Sequence, residues 1–224
     1  MEPNLASPIR RWAGALSLPL FFLALIGASV ADPVEDESAS PAVQLRQAAA
    51  HLGRLQTTFV LELVAAVFFL AATAAIVGRL RNRGAGLANV GGVLGLLGGV
   101  GLTMISVAHI YLHALAASGS SDALRILSAR DSAAGPLPLL FFAAPFAIAV
   151  LCGAAVRGGL VRWPLLVVTA AFLLLEYVPS ALGEVPSLVC GLVAYSWIAL
   201  ASVGVPSRSA ESRPPGARVP APAA

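Results

Sequence analysis

Residues 89–117 read NVGGVLGLLGGVGLTMISVAHIYLHALAA. These 29 residues contain no Asp, Glu, Lys or Arg, and as a helix rising 1.5 Å per residue they reach about 43 Å, more than the roughly 30 Å of a bilayer's hydrocarbon. In lipid, backbone amides must be satisfied within their own segment, so the run reads as a membrane-spanning helix and not as a strand.

The rest of the 224-residue chain has the same character. It is 58% hydrophobic and 11% charged, with a mean hydropathy of +0.86, whereas soluble domains carry about 25% charged residues. Five further runs are long and apolar enough to span, giving six in all: 12–30, 57–78, 89–117, 137–156, 163–180 and 185–205. The expected fold is therefore all-α, a polytopic bundle of six transmembrane helices. Residues 1–11 precede it, and the Pro-, Ala- and Ser-rich tail 206–224 has no apolar periodicity and is expected to be disordered.

Placing the arginines fixes an orientation, because short cytoplasmic loops retain positive charge. All 14 basic residues are arginine. Arg10, Arg11, Arg79, Arg81, Arg83, Arg157, Arg162, Arg208, Arg213 and Arg218 fall on one side of the six spans, and Arg46, Arg54, Arg125 and Arg130 on the other with seven acids. Both termini are then expected in the cytoplasm, with the protein multi-pass in the plasma membrane. The pI of 9.4 is thereby a topology signal, and nucleic acid is not an expected partner; the lipid bilayer is. The first span also fits a signal peptide, with Ser29-Val30-Ala31 as its cleavage site. Its length favours a retained helix.

Two outward loops are expected to hold short interfacial helices. In 31–56, Ser40 is placed to cap a helix, Pro41 suits its first turn, and Leu45, Ala48, Ala49, Leu52 and Leu55 share a face. In 118–136 the weaker pattern is Leu124, Ile126 and Leu127. Within the third span, Gly91, Gly95 and Gly99 form a small-residue stripe that lets a neighbouring helix approach closely. Pro19 and Pro145 lie inside spans and are expected to kink them. The two cysteines, Cys152 and Cys190, fall at opposite ends of their spans, too far apart for a disulfide.

Ionisable groups inside a span cost a few kcal/mol and normally face the bundle interior. Glu62, His109, His113 and Glu176 are the residues of this kind, and counting from the span ends puts all four in one layer near the outer surface. His109 and His113 are four apart and lie about 40° from the glycine stripe, so both point at packed neighbours. Three chemistries suit such a layer. His109 and His113, with His51 from the loop, have the donor types of a transition-metal site. The acids and imidazoles together are able to exchange protons, since histidine changes charge near neutral pH. Glu62 and Glu176 could also serve as catalytic general acids on a lipid-like substrate. The plainer expectation is that these groups bond one another and fix helix packing. No particular cofactor is implied, the oligomeric state is open, and an accessory-subunit role is the third class beside ligand or ion handling and catalysis.

The basic turn GRLRNRG at 78–84, followed by LANVGGVLGLLGGVG at 87–101 after an Arg-Arg start and an outward loop, resembles a group of bacterial six-pass membrane proteins of unknown function. That resemblance implies a fold and no site residues. The chain is also similar to integral-membrane terpene cyclases, which protonate an isoprenoid with intramembrane acids. This likeness implies that Glu62 is one such acid, although the last span carries no acid and the chain has one helix fewer.

Overall fold

The computed structural model describes residues 6–34, 39–80, 83–133, 140–177 and 185–204. The extreme N-terminus, the acidic stretch at 35–38, the short link at 181–184 and the tail at 206–224 lie outside the described residues. Within them the chain is all-helical: α1 (Ala6–Ala31), α2 (Pro41–Ala50), α3 (Leu52–Arg79), α4 (Ala85–Ser118), α5 (Ala123–Ala133), α6 (Ala143–Arg157), α7 (Pro164–Tyr177) and α8 (Val185–Gly204). Four of them, α1, α3, α4 and α8, are long and apolar enough to cross a membrane. Length and composition therefore make this a membrane protein.

α6 has 15 residues and reaches about 22 Å at 1.5 Å per residue; α7 is described over 14 residues, and the expected end of the fifth span, 178–180, lies outside the described residues. Pro145 is the third residue of α6, not a mid-helix residue. In the first turn a missing N–H has no intrahelical partner to lose, so proline is tolerated there and the expected kink does not arise. Pro19, by contrast, does lie inside the continuous helix α1.

Six helices contact one another in a closed cyclic order, α1, α3, α4, α6, α7, α8 and back to α1. The interior of this ring is filled with aromatic side chains. Phe21 and Phe22 of α1, Phe69 of α3 and Tyr195 of α8 are all fully buried. Phe22 meets Tyr195 edge-on at 5.1 Å and Phe172 of α7 at 6.0 Å, the offset geometry that ring quadrupoles favour. Cys152 is buried beside them and both cysteines are free. The outward faces carry Val93, Leu96, Val100, Val167, Leu174 and Leu200 in the open, as helices solvated by lipid should.

Glycines set the spacing around α4, though not as one stripe. Gly92, Gly95 and Gly99 face Val77, Thr73 and Leu70 of α3, whereas Gly91 and Gly98 face Leu151 and Ala144 of α6 and Gly101 faces Phe141 in the turn before it. Both pairings run antiparallel. A second, smaller core lies beyond the ring, where Ala48 of α2, Leu55 of α3, Leu112 of α4 and Leu127 of α5 pack together. The loop helices α2 and α5 thus roof one end of the bundle, against the last turns of α4. Ser40 stands at the N-cap of α2 as expected, but its hydroxyl makes no capping bond. Pro41 at the first helical position starts that helix instead.

Candidate functional site: an imidazole between two carboxylates

The register of α3 against α4 decides which polar groups meet. Because α4 presents glycine where α3 presents Val77, Thr73 and Leu70, the two backbones run close together and antiparallel. His109, ten residues past Gly99, then comes level with Glu62, eight residues before Leu70. The Nδ1 of His109 lies 2.9 Å from both Oε1 and Oε2 of Glu62. Glu62 is only 8% exposed, and the pair sits between the aromatic core and the roof core. Its neighbours on the two helices are Thr58 and Ser106, both buried, whose hydroxyls donate to Arg54 O and Leu102 O one turn earlier. Each serine or threonine thereby satisfies itself locally.

The opposite ring nitrogen faces a second carboxylate at longer range. Asp32, the first residue past α1, places Oδ2 3.8 Å from His109 Nε2. Two local features hold it there. Its Oδ1 accepts the Val34 N–H at 2.8 Å, an Asx-type turn that orients the carboxylate. From α3, the Arg54 guanidinium donates to the carbonyls of Val30, Ala31 and Asp32 at 3.2–3.3 Å. Those are orphan acceptors at the end of α1, where a cation also favours the helix dipole. Arg54 therefore fixes the end of α1, and the end of α1 fixes Asp32.

The sequence-predicted residues divide accordingly. Glu62 and His109 are brought together. His113, one turn further along α4, packs edge-on against Phe59 at 5.7 Å. Glu176 accepts a 2.8 Å hydrogen bond from the Ser187 hydroxyl of α8; α7 packs chiefly against α6 and α8, so its acid is held on another side of the ring. His51 is exposed at the corner between α2 and α3, where φ −138° and ψ 47° break the helix. The continuous helical face that would carry it over the layer is interrupted there. Among the described residues no group of three or more His, Cys, Asp or Glu is arranged to hold a metal ion, and in this geometry both nitrogens of His109 already face carboxylates.

Asp32 is the residue that sequence reading passed over, since it counts naturally among the acids of the outward side. A signal was nevertheless present: an acid directly at the end of an apolar helix whose partner helix carries an arginine, Arg54, at its outer end. Chemically, the arrangement offers groups of the kind that exchange protons near neutral pH. An imidazole takes a proton at one nitrogen and gives one up from the other, and each nitrogen here has its own carboxylate. No protein-family model, no curated protein and no solved structure matches the chain.

Proposed function

We propose that this is a six-pass protein of the plasma membrane, both termini cytoplasmic, whose outward-facing Asp32–His109–Glu62 cluster takes up and hands over protons. The observation that carries the reading is that two different carboxylates, from the end of α1 and from α3, address the two nitrogens of one imidazole on α4. Asp32 is the more exposed acid, with 18% of its side chain open against 10% for Glu62, so the relay runs from the roofed surface inward. Its position follows from length: His109 stands 24 residues past Ala85, about 36 Å along α4. If α4 begins at the inner boundary, the cluster lies near the outer edge of the hydrocarbon, under the roof of α2 and α5.

The six-pass reading is supported by the ring, in which α6 and α7 occupy full places between α4 and α8. It is supported too by α6 running antiparallel to α4 from the level of Gly98 to that of Gly84. Sidedness is supported by the charges: Arg83 and Arg157 line one pocket at the end of the bundle opposite Asp32, Arg54 and His109. A retained first helix is supported by Phe21 and Phe22, which a removed leader would withdraw from the core.

The test is a count of protons. In purified protein, an indicator dye follows proton uptake after a pH jump across neutrality. His109→Ala is expected to take up fewer protons per chain than the wild type, and Glu62→Gln to take them up over a different pH range, with helicity unchanged in both. Wild-type uptake in both variants would overturn the proposal.

A further inference from the structure

The end of the bundle opposite the relay holds a feature that proton handling does not use. Arg83, Gly84, Ala85, Gly86 and Leu87 at the start of α4, together with Arg157 from the last turn of α6, line an open pocket of about 510 Å³. Two arginines from separate elements therefore line one concavity. Neither is paired with an acid among the described residues. The lining residues come from 63–121 and 132–175, stretches that contain no Asp or Glu. Glycine shapes the turn that borders the pocket. Gly84, at φ +90°, lets the chain turn against the end of α6, where a Cβ would lie 2.6 Å from Ala154 O. Gly86 has open space where its side chain would be.

We propose that this pocket binds the phosphate of an anionic membrane phospholipid. Arginine is the side chain best suited to a phosphate, with planar donors that engage two oxygens at once, and basic pockets between spanning helices are natural headgroup sites. The choice of a lipid over a free phosphate rests on what continues from the pocket. Leu87 lines it, and Leu87, Val90, Val93 and Leu97 along α4 are 42–60% exposed, an apolar track for acyl chains leading away from the two cations. The inference depends on the membrane position of the bundle and not on the relay, so either proposal stands if the other fails.

Isothermal titration calorimetry on delipidated, detergent-solubilised full-length protein separates the possibilities, using short-chain phosphatidylglycerol, short-chain phosphatidylcholine and inorganic phosphate as titrants. The expected order is phosphatidylglycerol tightest, phosphatidylcholine weaker, and inorganic phosphate without measurable heat at the same concentrations. Arg83→Gln with Arg157→Gln is expected to weaken phosphatidylglycerol about thirtyfold, as two arginines near a membrane surface would. Arg162→Gln removes an exposed charge outside the pocket and is expected to leave binding unchanged, which controls for net charge. Undiminished binding by the double variant overturns the proposal, as does an equal loss in Arg162→Gln or binding of inorganic phosphate as tight as that of the lipid.

Discussion

Gly98→Ala is expected to destabilise the bundle by about 2–3 kcal/mol, the upper part of the usual range for overpacking. The sign is informative, because glycine in a helix interior is ordinarily worse than alanine by about 0.5–1 kcal/mol. At Gly98 the new methyl would lie 2.7 Å from both the Cα and the N of Ala144. Those are backbone atoms, so no side chain is free to swing aside and α4 and α6 must separate. Gly153, within α6, has nothing within 4 Å of its missing Cβ. Gly153→Ala is accordingly expected to gain the ordinary increment. Thermal unfolding of the two variants in one detergent checks the contrast, and equal midpoints would show that α4 and α6 do not approach as described.

Phe22→Ala is expected to cost about 3–5 kcal/mol, the range for a large core residue truncated to alanine. Phe22 is fully buried, is in ring contact with Phe21, Phe172 and Tyr195, and lies over Gly191 of α8. Nothing else nearby could fill its space without shifting three helices. The same variant bears on the fate of α1. If that segment were removed as a leader, residue 22 would be missing from the mature protein and its substitution would leave unfolding unchanged. A midpoint identical to wild type would therefore contradict the retained helix as well as the packing.

How much of this was legible in sequence follows from which forces act locally. Long apolar runs specify their own helices, since lipid leaves the backbone no other partner, and α1, α3, α4 and α8 are long and apolar enough to span. Pro41 likewise marks the start of α2. The convergence of Glu62 and His109 was half legible: helical spacing shows that His109 follows the glycine face of α4, but a single helix does not say which partner that face meets. Glycines 91, 95 and 99 look like one stripe in one dimension. In three dimensions they divide between α3 and α6, because α4 touches both and a glycine serves whichever neighbour is nearer. Glu176 and His113 share a depth with Glu62 by residue counting, yet ring order separates the first and a one-turn offset leaves the second against Phe59. Asp32 was hidden by its own sufficiency as a loop acid. Its role depends on Arg54, 22 residues further on, binding the carbonyls at the end of α1, a long-range contact that no local pattern carries.

In the proposed function, Asp32, His109 and Glu62 act as one proton-binding unit. Its most direct test is the titration of His109 itself, followed by ¹⁵N NMR of histidine-labelled protein in wild type, Asp32→Asn and Glu62→Gln. Each carboxylate addresses a different ring nitrogen at 2.9 Å or 3.8 Å, and a charge within about 4–6 Å couples to its neighbour's proton equilibrium. The expected result is that both variants displace the His109 curve from that of the wild type, Glu62→Gln more than Asp32→Asn. Three superimposable curves would contradict the account.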